Sequence, residues 1–135
     1  MLTDSLVEPD FKMLSWYHSY KDTIDLVAYV GEFETQALLL RFIHRTPHVY
    51  YIRAPHEDQR YFRLKKTDTF TDHIEVPPVR YKLALSVIPD TIQKQLVFGT
   101  IDMMSGGYYD QRDTSRQERS VRLKFYFRSK YRSFN

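Results

Sequence analysis

The side chains that could perform acid–base or metal chemistry are few and scattered along this 135-residue sequence. Of its five histidines, His44 and His48 are four residues apart, but Pro47 between them disfavours the helical turn that would make this spacing useful for a metal. The sequence has no cysteine, which excludes disulfides, thiolate nucleophiles, zinc ribbons and iron–sulfur clusters. We therefore predict no metal site and no cofactor.

Acidic and nucleophilic residues form no recognisable catalytic pattern either. Glu32 with Glu34, and Glu57 with Asp58, could be drawn as a general acid and base. Neighbouring carboxylates are common in a chain with 27% charged residues, however, and more often lie on a solvated surface. Ser105 precedes two glycines, but the sequence contains no Gly-x-Ser-x-Gly, no dinucleotide-binding glycine motif and no phosphate-binding loop. We predict that the protein is not an enzyme.

One segment has a strong compositional bias. Residues 112–132 contain eight cations and only two acids, Asp113 and Glu118. With neighbouring tyrosines, these cations form the candidate partner interface: Tyr108, Tyr109, Arg112, Arg116, Arg119, Arg122, Lys124, Tyr126, Arg128, Lys130, Tyr131 and Arg132. This surface could pair its arginines with carboxylates of a protein partner, track a nucleic-acid backbone, or be plain solvated surface. A net charge of only +3 gives the nucleic-acid interpretation weak support.

The aromatic content of 16%, with eleven tyrosines, is the unusual number in the composition. Tyrosine combines a large apolar ring with a polar tip, so an excess suits half-buried positions and protein–protein contacts. The start of the chain lacks the basic and apolar regions of a signal peptide, and the apolar run Ala37–Leu40 is too short to span a bilayer. We expect one domain over residues 1–135, made without export and with no membrane partner.

The first half of the chain predicts helices and a hairpin. Aromatic and apolar residues after Pro9 recur at three- and four-residue steps, which predicts a helix over residues 10–22. Residues 24–30 fit either a helical continuation or a strand. Turn residues between the apolar run 35–43 and the β-rich run 48–53 predict a hairpin. Residues 56–66 place acids first and lysines last, which favours a short helix.

The second half predicts strands. Apolar and polar residues alternate over 79–88 and most strictly over 121–128, and a further strand fits 96–103 with a bulge at Gly99. A polar loop runs from Gly106 to Ser120. The combination predicts the α+β class: a single domain with a largely antiparallel sheet and one or two helices.

In this order, several features resemble the tail-completion (tail sheath terminator) proteins of contractile-tailed bacteriophages. The resemblance spans about residues 16–131 and consists of element order and scattered residues. The segments that carry it are Trp16-Tyr17-His18, Tyr51-Ile52-Arg53, Tyr61-Phe62-Arg63-Leu64, Ile74-Glu75-Val76-Pro77-Pro78-Val79-Arg80-Tyr81 and the strand Leu123–Tyr131.

This resemblance implies an α+β subunit that assembles into a ring, of six copies, at the head-proximal end of the tail. It implies no enzymatic residues, and self and other virion tail or neck proteins as partners. The expected location is the virion, assembled in the host cytoplasm, and a neck, collar or baseplate subunit fits nearly as well. The alternative is a small basic nucleic-acid-binding protein that uses its cationic C-terminal strand.

Overall fold

The computed structural model describes residues 2–12, 15–30, 35–55 and 59–133, and all regular secondary structure within these ranges is β-strand. The strands follow in chain order as β1 (Leu2–Lys12), β2 (Ser15–Tyr20), β3 (Thr23–Val30), β4 (Thr35–Ile43), β5 (Thr46–Ala54), β6 (Phe62–Arg63), β7 (Ile74–Val76), β8 (Pro78–Leu85), β9 (Val97–Ser105), β10 (Tyr109–Asp110) and β11 (Arg119–Tyr131). Nine of them form one mixed sheet: eight lie in the order β7-β5-β4-β3-β2-β11-β9-β8, and β1 pairs with β11 outside this order. Strands β1 and β2 each run parallel to part of β11. Strands β6 and β10 form a separate antiparallel pair.

The predicted α+β class is wrong, because the described chain is all-β. In place of the helix predicted over 10–22, the end of β1 and the whole of β2 are extended, and residues 13–14 lie outside the described residues. In β2, Tyr17 is buried in the core whereas Trp16 and His18 lie on the opposite face, which is strand alternation. Pairing with β3 on one side and β11 on the other supplies the backbone hydrogen bonds, so tertiary context overrides the apparent helical spacing.

The short helix predicted over 56–66 is also wrong for the residues that the structure describes; residues 56–58 lie outside them. Phe62 lies in β6 with its ring fully buried, and its backbone exchanges hydrogen bonds with Thr71. The Lys65 amide then donates to the Asp68 carboxylate in a turn. The order of charges in this segment, acids first and lysines last, is therefore compatible with an extended backbone. Burial of the Phe62 ring determines the conformation.

The predicted strands are confirmed. Residues 24–30, which the sequence left open, belong to β3, and β4 and β5 form the predicted hairpin. Its turn is His44-Arg45, both at positive φ (49° and 67°), as in a tight two-residue hairpin loop. In the second half, β8, β9 and β11 are consecutive neighbours, and their register passes Gly99 without the expected bulge. Gly99 serves another purpose, because a Cβ there would collide with the ring of Phe127.

One core lies between two parts of the sheet. We call β7, β5, β4, β3 and β2 the β4 half, and β1, β11, β9 and β8 the β9 half. Buried side chains from both halves belong to a single cluster, including Leu26 and Leu40 from the first and Ile101, Leu123 and Phe127 from the second. The sheet therefore folds over itself as a two-layer sandwich, and each half has an inner face toward the core and an outer face away from it.

Candidate interaction surfaces

The outer face of the β9 half carries a lattice of cations. Directly paired residues share a face, so the register places Arg80 and Arg122 on either side of Met104, and Lys82 and Lys124 on either side of Asp102. The strict alternation of β11 adds two further cations at 128 and 130. We call this set the cationic outer face: Arg80, Lys82, Arg122, Lys124, Arg128 and Lys130.

A single acid lies among the described outward residues of β8, β9 and β11. The Arg122 guanidinium donates two hydrogen bonds to the Asp102 carboxylate, from Nε at 3.3 Å and from Nη2 at 3.2 Å. These bonds lower the pKa of Asp102, and the charges of Lys124 and Lys82 add to the effect. Asp102 thus balances one cation of six.

The excess positive charge of the chain is concentrated on the cationic outer face. The whole sequence has 20 cations and 17 acids, a net charge of +3. The cationic outer face, with Asp102, holds six of those cations and one acid, a net charge of +5. The rest of the chain has 14 cations and 16 acids, a net charge of −2. The modest overall charge therefore conceals one strongly positive surface.

Two aromatic rings lie exposed within the same lattice. Tyr126 is 45% exposed and Phe98 is 42% exposed. The register pairs Tyr126 with Thr100 and Phe98 with Arg128, so the two rings occupy adjacent rows on adjacent strands. The cations at 124, 128 and 130 surround them along β11.

Two predicted interface arginines, one in the loop before β11 and one at the first residue of β11, make contacts within the chain. Arg112 donates to Asp110 from Nε (3.0 Å) and Nη2 (2.8 Å). Its guanidinium also stacks 4.2 Å from the ring centre of Tyr61. Arg119 pairs with Asp113 at 3.1 Å and with Asp4 at 3.3 Å. The stack on Tyr61 and the Arg119–Asp113 pair connect the loop to the neighbouring strands.

Four other predicted interface residues also lie away from the cationic outer face, and Arg132, one residue beyond β11, lies at its margin over Trp16, which pairs with Lys130. Tyr108 is 3% exposed and packs against the core rings of Tyr51 and Phe62. Arg116 is exposed, with φ of 55°, while Tyr109, Tyr131 and Arg132 contact neighbouring side chains: Tyr109 lies near Arg63 and Glu118, Tyr131 near Tyr17 and Lys94, and Arg132 over Trp16. The structure thus groups only 122, 124, 126, 128 and 130 of the predicted set on one face.

The outer face of the β4 half is different, because apolar residues cover it. Ala37, Leu39 and Ile52 are no more than 7% exposed although they point away from the main core, and half-buried Tyr29 and Tyr50 pack on them. Trp16 contacts Tyr29, with ring centres 5.1 Å apart. We call this set the apolar outer face: Trp16, Val27, Tyr29, Ala37, Leu39, Tyr50 and Ile52.

Ion pairs border the apolar outer face. Arg41 donates to both oxygens of Asp25, at 3.0 and 3.2 Å, and also lies 3.5 Å from Glu75. The hydrogen bond to Asp25 raises the pKa of Arg41. Asp25 is buried, and Glu75 is also 3.7 Å from His73. A fixed row of charges therefore runs beside the aromatic rows.

A polar recess of about 230 Å³ lies at one end of the core. Its lining includes Tyr51, Arg53, Tyr108 and Arg119. The Tyr51 hydroxyl donates to Gln36 Oε1 at 2.7 Å. Burial is the main reason that the pKa values of Tyr51 and Tyr108 are raised. These hydroxyls are held in their neutral form.

Sequence reasoning missed part of both outer faces for identifiable reasons. Arg80 and Lys82 share one phase of a predicted strand, but sequence alone does not show that this strand lies next to the C-terminal strands. The run 35–43 lacks alternation because both of its faces are apolar, Leu38 and Leu40 inside and Leu39 outside. A continuous apolar strand is the signal of burial on two faces, and it was present in the sequence.

Neither a metal-ligand cluster nor a membrane-spanning helix is found in the described residues. No group of three or more His, Asp or Glu side chains able to hold a metal ion occurs in the part of the chain that the structure describes. Within the same part, no helix has the length and apolarity needed to cross a bilayer. Comparison with family models, with curated proteins and with solved structures gives no match.

Proposed function

We propose that this chain is a non-enzymatic structural subunit of a larger assembly and that its apolar outer face packs against a second copy of the chain. The observation that supports this proposal is the second apolar cluster of the β4 half, in which buried aliphatic residues lie under the half-buried rings of Tyr29 and Tyr50 that a partner can contact. A sandwich needs only one apolar face per sheet, and here Leu39 and its neighbours form a second cluster outside the core. Apolar faces rich in tyrosine and tryptophan are typical of protein interfaces.

A second copy of the chain can pack on this face because its aromatic rings lie in rows and the Asp25–Arg41 ion pair lies at one border. Two such faces can stack as two sheets do in a sandwich, about 10 Å apart, with their aromatic rows interdigitating. A two-fold contact would also bring the Asp25–Arg41 row of one copy to the border of the other, where both signs of charge are present. Such a contact is self-complementary.

Growth beyond a dimer requires a second contact, and the edge strand β8 offers one. Within the described residues, β8 pairs with β9 alone. Val79 is 73% exposed and Tyr81 is 46% exposed along this strand. An unpaired edge can accept a strand or loop of a neighbour, and a head-to-tail contact of that kind closes into a ring when its rotation permits.

The particular assembly suggested by the sequence resemblance is a ring in a phage tail or neck, with the virion as its location. The α+β architecture that the resemblance implied is not the architecture of the described chain. The support for the proposal is therefore the apolar outer face and the β8 edge, and the number of subunits is a quantity to be measured.

Light scattering of the purified protein over a range of concentrations tests the proposal. We expect an oligomer, and we expect the double variant Tyr29→Ser/Tyr50→Ser to shift it to monomer while circular dichroism shows that the strands persist. Tyr126→Ser makes a similar change on the cationic outer face and should leave the oligomer intact. A wild-type protein that stays monomeric at every concentration would contradict the proposal.

A further inference from the structure

We propose that the cationic outer face binds single-stranded nucleic acid, with phosphates held by the cations of β8 and β11 and bases stacked on Tyr126 and Phe98. This inference uses other side chains than the apolar outer face and does not depend on self-association, although the two faces adjoin where Lys130 pairs with Trp16 and β8 carries two of the cations. Its basis is the combination of charge, spacing and exposed rings on one face of the sheet.

The charges lie on alternate residues of β11, interrupted once by Tyr126, and on two alternate residues of β8. Alternate residues of a strand are about 6.8 Å apart and neighbouring strands about 4.8 Å apart. Arg122 to Lys130 therefore extends over about 27 Å, and β8 lies about 10 Å from β11. Cations so close together act jointly on an extended anion, since most lie within about one Debye length of another cation at physiological salt. An extended strand of phosphates matches this layout.

The kind of cation favours phosphate over a protein partner. Lys82, Lys124 and Lys130 make up half of the face. Lysine is depleted in protein interfaces, whereas it is a common phosphate ligand that acts as a point charge. Only Arg122 has a carboxylate partner on this face among the described residues, and that partner is Asp102 of the same chain.

The rings favour bases, and single strands over duplexes. Tyr126 and Phe98 are both more than 40% exposed on the face that carries the cations. Aromatic side chains on an open sheet surface can stack unpaired bases, and stacking tolerates any base because every base has a π face. Duplex DNA keeps its bases inside, and its major groove admits a helix or a two-stranded ribbon rather than the broad face of a sheet formed by β1, β11, β9 and β8.

Fluorescence anisotropy of a labelled oligothymidylate, titrated with the full chain, tests the charge contribution. We expect binding that weakens about 100-fold between about 50 and 200 mM salt, as for about five phosphate contacts. Lys82→Glu/Lys124→Glu should weaken binding about 25-fold or more at about 0.1 M salt. The control Arg60→Glu/Lys66→Glu changes the net charge by the same amount at exposed residues outside this face and should have little effect.

An abasic oligonucleotide of the same length separates stacking from charge, because it keeps the phosphates and lacks the bases. We expect it to bind about tenfold or more weakly than oligothymidylate, and we expect Tyr126→Ala and Phe98→Ala each to cost about tenfold for oligothymidylate only. Both rings are exposed, so circular dichroism should show that these variants fold.

Three results would overturn this inference. They are no binding at low salt, equal binding of abasic and base-containing strands, or competition by polyglutamate as strong as that by unlabelled oligothymidylate. The last result would assign the face to an acidic protein. Binding by a wild-type protein that is monomeric would refute the proposed self-association and leave this inference standing, while an oligomer without binding would do the reverse.

Discussion

The two halves of the sheet share one core but present opposite outer faces. In the β4 half, the outer residues Leu39 and Ile52 are as buried as many core residues. In the β9 half, the corresponding outward positions hold exposed cations such as Lys124 and Lys130. Both inner faces contribute to one apolar core, so folding of the sandwich does not account for the difference. Core formation does not constrain the outward residues, so their chemistry reflects the contacts that each half can make with other molecules.

The same contrast applies to the acid–arginine pairs. Asp25 and Arg41 in the β4 half, and Asp102 and Arg122 in the β9 half, both form two-pronged contacts at 3.0–3.3 Å. The Asp25 side chain is only 10% exposed, whereas that of Asp102 is 36% exposed. Identical chemistry in different surroundings should contribute differently to stability, which makes the pairs a direct comparison of the two faces.

The largest expected effect comes from truncating one outward residue in each half. Leu39→Ala should lower the free energy of unfolding by about 3 kcal/mol, because it removes a buried side chain and leaves a cavity under Tyr29 and Tyr50. Lys124→Ala should change it by less than about 0.5 kcal/mol, because this side chain is exposed.

Urea denaturation at one fixed protein concentration measures both changes, since self-association makes apparent stability depend on concentration. A loss below about 1 kcal/mol for Leu39→Ala would mean that the apolar outer face is not a packed cluster. The distinction between the two faces would then be one of charge alone.

The second prediction compares the two ion pairs. Asp25→Asn should cost about 2 kcal/mol, because Arg41 loses a charged hydrogen-bond partner at a buried site. Asp102→Asn should cost less than about 0.5 kcal/mol, because water and salt already screen the exposed pair. Equal losses in urea denaturation would show that burial does not distinguish the two pairs.

The sequence predicts the strands well where one face is buried and the other is polar. The alternation over 121–128 identifies β11, and its polar phase identifies the cations at 122, 124 and 128. The prediction fails where both faces are filled. Trp16 and Tyr17 point to opposite sides of β2 and are both apolar, so no period-two signal survives and the aromatic spacing imitates a helix.

Non-local pairing accounts for the remaining failures. Arg80 and Lys82 join the cationic outer face only because β9 lies between β8 and β11. Phe98 faces outward because Val97 and Gly99 face Phe127 and the core. Strand order depends on the packing of the whole chain. Local patterns in a single sequence do not show which strands become neighbours.

Two tyrosine rings meet at the polar end of the core. Tyr51 from the β4 half lies 5.9 Å, ring centre to ring centre, from Tyr108 of the segment leading to β11. Burial raises the pKa of both hydroxyls, so the folded state keeps protons that the unfolded chain releases above about pH 10. The free energy of unfolding should therefore be unaffected below about pH 10 and fall as the pH rises further.

Tyr51→Phe isolates one of these groups, because it keeps the ring and removes the ionisable hydroxyl. Near about pH 11, the wild type should have lost about 1.4 kcal/mol through Tyr51 alone, and the variant should lack that part of the decline. Urea denaturation of both proteins from about pH 8 to 11 gives the two slopes. Parallel slopes would mean that water reaches the Tyr51 hydroxyl in the folded state, and the polar recess would then be an open end of the sandwich rather than part of its core.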